Sequence, residues 1–149
     1  MNYYLLDTGI LLGYMRSAPY AKTAEEKFNL LSNETISVIS VINYAEIYAL
    51  SERNSWGNAK QESLKKLLCS LPIIYINSVS IAEKFIEITL FCQGRHPKCP
   101  PGFTSKQLDD NDRWIAATAS LLNASLITTD KDFLPLDNEF LKVEYISPK

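Results

Sequence analysis

The chain is short of histidine, cysteine and glycine, and each shortage narrows what it can do. Its 149 residues hold one histidine, His96. A histidine-based acid–base pair is therefore excluded, because one imidazole cannot fill both roles. Three cysteines, Cys69, Cys92 and Cys99, cannot all pair within the chain. With no basic, apolar leader at the start, a reducing cytoplasm is the expected setting. Five glycines and seven prolines leave no room for a long low-complexity segment. No apolar run approaches the roughly 20 residues that span a bilayer, so no membrane partner is expected. The net charge of −2 lacks the basic excess shown by most nucleic-acid-binding domains. A site built of carboxylates would lower the charge in this way, and bound divalent cations would restore it. No repeat or linker divides the chain, so residues 1–149 read as one domain, long enough to bury its own core.

What is present is an alternation of short apolar runs and helical patterns. Tyr3-Tyr4-Leu5-Leu6 reads as a buried strand that stops at a turn, Asp7-Thr8-Gly9. Residues 10–15 read as a short helix or turn. Residues 21–31 place Ala24, Phe28 and Leu31 at helical spacing, until Asn33-Glu34 breaks the pattern. The β-branched run Thr35-Ile36-Ser37-Val38-Ile39 is a second strand. Ser40 caps a helix reaching about Arg53. Residues 58–69 form another helix, which Leu71-Pro72 ends, and Ile73-Ile74-Tyr75-Ile76 is a third strand. Residues 78–91 predict a helix with Val79, Ala82, Phe85, Ile86 and Ile88 inside. Residues 92–107, rich in Cys and Pro, read as a loop or insertion. Asp109 or Asp110 opens a helix to about Leu122, Leu126-Ile127-Thr128 is a fourth strand, and residues 142–146 are a last one. Strands alternating with helices mean an α/β fold with a mostly parallel sheet, whose functional crevice lies beyond the carboxyl ends of the strands.

Several acids occupy positions of interest. Asp7 follows the first strand and Asp130 lies just past the fourth, so parallel neighbours would bring both to one edge. Asp112 falls in the first turn of its helix, and Glu46 lies in the apolar setting Asn43-Tyr44-Ala45-Glu46-Ile47-Tyr48. Taken singly, each has a plainer reading. Asp7 serves equally as a turn residue or cap, Asp112 as a partner of the helix dipole, Asp130 and Asp132 as loop acids. Glu46 is the hardest to read so, since an acid buried unpaired is costly; its plainer reading is an acid that faces solvent between apolar neighbours. Together, several carboxylates are what a hard divalent cation such as Mg²⁺ or Mn²⁺ requires, and phosphodiester hydrolysis suits such a site.

The same residues carry a family resemblance. A strand ending in Asp7-Thr8-Gly9, a helical Glu46, the run Asn111-Asp112-Arg113-Trp114-Ile115-Ala116-Ala117-Thr118-Ala119 and the run Leu126-Ile127-Thr128-Thr129-Asp130-Lys131-Asp132-Phe133 resemble a PIN domain, most of all the VapC-type toxin ribonucleases. The resemblance implies a three-layer α/β/α sandwich and a metal-binding set of Asp7, Glu46, Asp112 and Asp130. Asp132 matches a further acid of some members, and Thr8 a hydroxyl that supports the first acid. It also implies a metal-dependent endoribonuclease using Mg²⁺ or Mn²⁺, the toxin of a type II toxin–antitoxin pair. The implied partners are an RNA substrate, with transfer RNA among the candidates, a cognate antitoxin and a second copy in a homodimer. Residues 92–107 depart from the pattern as a longer segment beside the Asp112 helix.

Other readings have weaker support. A phosphoacceptor receiver needs an Asp at the end of the third strand, where Asn77 stands, and a haloacid-type phosphatase needs Asp-x-Asp where Asp7-Thr8-Gly9 stands. Cys92, His96 and Cys99, with Cys69, match no standard zinc spacing. Tyr44 and Tyr48 read as core or interface. The basic stretches around Lys60, Lys65 and Lys66, and around Arg95, Lys98 and Lys106, read as solvated faces or phosphate contacts. The alternative from another class is a non-catalytic PIN-like module that binds RNA or protein.

Overall fold

A computed structural model of the protein describes residues 2–99 and 108–149. Five strands form one sheet in the order β3-β2-β1-β4-β5. They are β1 (Asn2–Leu6), β2 (Thr35–Ser40), β3 (Ile73–Ile74), β4 (Ser125–Thr128) and β5 (Lys142–Tyr145), and every pairing is parallel. The helices are α1 (Thr8–Met15), α2 (Pro19–Phe28), α3 (Val41–Arg53), α4 (Asn58–Cys69), α5 (Val79–Cys92) and α6 (Asp110–Leu122), with a 3₁₀ turn at Lys131–Leu136.

The strands alternate their side chains between two cores, as the pleat demands. Tyr4, Leu6, Ile39 and Ile127 face one side, where Ile10, Leu11, Ala24, Ile47 and Leu64 of α1–α4 cover them. Leu5, Val38, Leu126 and Val143 face the other, beneath Ile81, Ile88 and Phe91 of α5 and Ile115, Ala116 and Ala119 of α6. Helices thus lie on both faces, and the expected α/β/α sandwich is the fold. The sheet is wholly rather than mostly parallel.

The chain runs from β1 outward through β2 to β3, then crosses back to place β4 on the other side of β1. This reversal sits between β1 and β4, where Leu6 pairs with Ile127. It is the position at which parallel α/β sheets open a crevice. Asp7 leaves β1 on one side of it, and Asp130 follows β4 on the other.

Several local expectations are corrected. Thr8 and Gly9 do not form a free turn but begin α1, with Asp7 as its N-cap; the residues that favour turns are also those that cap helices. The helix expected over residues 21–31 starts at Pro19 and ends at Phe28. Asn29 takes a left-handed conformation with φ of 54° and terminates it before Leu31, which is exposed. The third strand is shortened to Ile73–Ile74, an edge strand with a single neighbour. On α5, Val79 and Ile86 are 73% and 56% exposed; the buried residues are Ile81, Ile88, Phe91 and Cys92. Val79 and Ile86 share a seven-residue spacing with Ile81 and Ile88, so periodicity offered two apolar stripes and could not choose between them. Residues 100–107 of the expected loop lie outside the described residues; Cys92 itself ends α5.

Candidate active site

Four elements deliver acids to the crevice. Asp7 reaches it as the N-cap of α1, held at the end of β1 by its backbone N–H, which donates to the Ile127 carbonyl at 3.0 Å. Its carboxylate is buried and accepts three hydrogen bonds. Oδ1 receives the Thr8 N–H at 2.9 Å and the Asn43 side-chain amide at 3.3 Å, and Oδ2 receives the Thr128 hydroxyl at 2.7 Å. Glu46 comes from the middle of α3, where its Oε1 accepts the Thr8 hydroxyl at 2.7 Å. Asp130 follows β4; its N–H donates to Thr128 Oγ1 at 3.0 Å, so Thr128 bridges Asp7 and the Asp130 backbone. Asp112 lies in the first turn of α6, where its N–H is held at 2.8 Å by Oδ1 of the capping residue Asp109.

The electrostatics show the same convergence. Burial pushes the Asp7 carboxyl up to about 6; the bonds from Thr128 and the Thr8 N–H oppose the rise, and the charges of Glu46 and Asp130 add to it. Burial first, then the charges of Asp109, Asp7, Asp130 and Glu46, lifts Asp112 up to about 8. An acid on α6 therefore feels acids on β1, α3 and the β4 loop. Such mutual repulsion is what a bound cation relieves.

Asp7, Glu46, Asp112 and Asp130 thus stand in one neighbourhood, with Thr8 tying two of them together. Asp132 stands apart from that group: its N–H donates to Asp130 Oδ1 at 2.8 Å, while the residue itself is exposed. Three further residues at the site were not among those singled out for it from the sequence. Asn43 and Thr128 are fully buried donors to Asp7, and Asp109 both caps α6 and is the charge that raises Asp112 most. The one legible sign was Asn43 itself, three residues beyond the cap Ser40, where a capping box places its second member.

His96 lies elsewhere. Its ring packs edge-on against Phe140 at 5.6 Å, and the Phe140 carbonyl accepts from Ser120, eight residues along α6 from Asp112. At 1.5 Å per residue that is roughly 12 Å of helix. Among the described residues, Cys92, His96 and Cys99 form no metal-binding group.

Comparison with known proteins agrees with this geometry. The PIN domain family model matches residues 4–138. The chain belongs to the PIN domain family. The matched span contains all four acids of the cluster. Three solved structures are similar along nearly their whole length. VapBC2 from Rickettsia felis, bound to a DNA fragment from its promoter, is 24% identical, with a TM-score of 0.74 over 97% of this chain and 99% of that one. VapBC-1 from nontypeable Haemophilus influenzae is 27% identical, with a TM-score of 0.68 over 96% and 97%. A toxin–antitoxin complex from Klebsiella pneumoniae is 24% identical, with a TM-score of 0.68 over 98% of each chain. No curated protein matches the chain in sequence.

Proposed function

We propose that this PIN domain is a nuclease that hydrolyses RNA phosphodiester bonds at the Asp7–Glu46–Asp112–Asp130 cluster, and that it is the toxin of a toxin–antitoxin pair. The observation that carries the reading is the gathering of acids from four elements at the switch point of the sheet, where burial first and the charges of Asp109, Asp7, Asp130 and Glu46 after it lift Asp112 up to about 8. The donor set is all oxygen, and it fits Mg²⁺ or Mn²⁺. Asp7, Glu46, Asp112 and Asp130 would hold the ion, which when bound supplies the positive charge that polarises a phosphoryl oxygen and lowers the pKa of water.

The chain's own residues do the rest. Thr8 holds Glu46, and Asn43 and Thr128 hold Asp7, by hydrogen bonds to their carboxylate oxygens. Hydrolysis by water leaves a 5′-phosphate and a 3′-hydroxyl, whereas attack by the RNA 2′-hydroxyl leaves a 2′,3′-cyclic phosphate. The site offers no histidine for the second route. End-group analysis of RNA cut by the purified chain, with and without EDTA, tests the proposal. The expected result is 5′-phosphate ends and no cleavage in EDTA; cyclic ends or chelator-resistant cleavage would overturn it.

The toxin assignment is supported by the fold relatives, whose structures are toxin–antitoxin complexes. An antitoxin protein is accordingly the proposed partner, and self-association as a homodimer is proposed by the same resemblance. No helix among the described residues is long and apolar enough to cross a membrane.

One observation favours a second reading. Among the described residues, no three acids, histidines or cysteines close on one point tightly enough to grip an ion as they stand. A PIN-like module that binds RNA or protein without cutting would show that arrangement permanently. Titration with Mn²⁺ separates the two: a nuclease site draws in and binds with carboxylate-dependent affinity, and a binding module does not.

A further inference from the structure

We propose that Asn43 is a positioning residue, whose buried side-chain amide locks Asp7 and Glu46 into a single hydrogen-bonded unit and fixes which oxygens they present to a bound cation. The inference rests on the nuclease reading above and extends it to a residue outside the acidic set.

Asn43 lies in the first turn of α3 with no exposed surface. Its Oδ1 accepts the Ser40 N–H at 3.0 Å, completing the capping box with the Ser40 hydroxyl. A backbone N–H can only donate, so this bond settles the orientation of the amide: oxygen toward Ser40, nitrogen toward the site. The helix cap needs nothing more. The two amide protons go elsewhere, one to Asp7 Oδ1 at 3.3 Å and one to Thr8 Oγ1 at 3.2 Å. A capping residue alone would have no use for that pair of bonds.

Their consequence is a fixed direction of hydrogen bonding. The Thr8 hydroxyl has one proton. Its oxygen accepts from Asn43, and its proton goes to Glu46 Oε1 at 2.7 Å, because an ionised carboxylate can only accept. On Asp7, Oδ1 is engaged twice, by the Thr8 N–H and by Asn43, while Oδ2 is engaged once, by Thr128. The oxygen with capacity to spare is therefore Oδ2. Asn43 thus selects the free oxygen of Asp7 directly and orients Glu46 through Thr8, although it carries no charge. Partners of this kind, which hold ligands without touching the ion, affect metal affinity or activity by about 10–100-fold when removed.

The test uses the full chain and four variants, three single and one double. Asn43→Ala removes the amide. Ser40→Ala removes the other half of the same capping box, leaves the Ser40 N–H in place and touches no acid. Mn²⁺ binding is followed by titration calorimetry. Asn43→Ala should bind about 10–100-fold more weakly than the natural chain, and Ser40→Ala should bind as the natural chain does while losing a similar amount of thermal stability. Equal loss of affinity in both variants, or none in Asn43→Ala, would reduce Asn43 to a helix cap. A second arm needs no metal. In EDTA, the urea midpoints of Asn43→Ala, Glu46→Gln and the double variant should be non-additive, because the two residues act through one hydroxyl. Additive shifts overturn the linkage. A natural chain that binds no Mn²⁺ would refute the nuclease reading, and the EDTA arm would still decide whether Asn43 and Glu46 form one unit.

Discussion

The charge states of Asp7 and Asp112 are set by the side chains packed around them. Asp112 shows this most clearly. It sits in a helix turn that favours negative charge, yet burial and four other carboxylates carry it up to about 8 from an ordinary 3.8. A carboxyl raised in this way binds its proton more tightly folded than unfolded. Its unfavourable contribution is absent below pH 4, grows as the pH rises from about 4 to 8, and is complete above that. Asp7 behaves likewise, with its window closing near 6. In EDTA, Asp112→Asn should therefore leave stability unchanged at pH 4 and raise the urea midpoint increasingly up to pH 8. A midpoint difference that does not widen with pH would show that Asp112 is not under this repulsion. Asp7→Asn should gain less, because its new amide would face a donor at one of the positions where Asp7 now accepts. Thr128 was not legible as a site residue, and Asn43 only by its place three residues beyond the cap Ser40. An uncharged polar side chain within an apolar helix or strand has many uses, and only the fold shows that both donate to Asp7.

At the scale of elements, legibility followed the strength of local signals. α3 and α4 stand where the cap Ser40 and the stop at Pro72 placed them, because capping and proline act within a turn of the chain. The start of α1 did not, since Asp7-Thr8-Gly9 serves a turn and a helix N-terminus equally well. What decided it was the neighbouring strand end. A Cβ on Gly9 would stand 2.2 Å from Thr129 Oγ1, so α1 begins in contact with the residue that follows β4. This close approach keeps Asp7 and Thr128 within hydrogen-bonding range. Gly9→Ala should destabilise the chain by about 1–3 kcal/mol through overpacking, and Thr129→Ala in the same chain should recover most of the loss. Chemical denaturation of the two variants checks this; a Gly9→Ala chain as stable as the natural one would mean that α1 can move away freely. The buried face of α5 was also undecidable locally. Its two apolar stripes have the same period, and packing against α6 and the sheet buried one of them.

For the whole molecule, the site and the fold share their stability. A cation bound among the acids stabilises only the folded chain, by about 2.7 kcal/mol at a hundred times its Kd. Mn²⁺ should therefore raise the thermal midpoint at pH 8, and Asp112→Asn should abolish most of that rise; a midpoint indifferent to Mn²⁺ in the natural chain would count against the metal site. What the sequence by itself determined is local and periodic: alternating strands and helices, hence a parallel sheet covered on both faces, and the acids that follow β1 and β4. These follow from side-chain period and capping chemistry, which act over a few residues at a time. The tertiary structure alone decided the strand order β3-β2-β1-β4-β5, and with it that Leu6 lies beside Ile127 and Asp7 beside Thr128. Residues 121 positions apart meet there. Such a contact depends on burying both faces of the sheet at once, and no window of local sequence contains that condition.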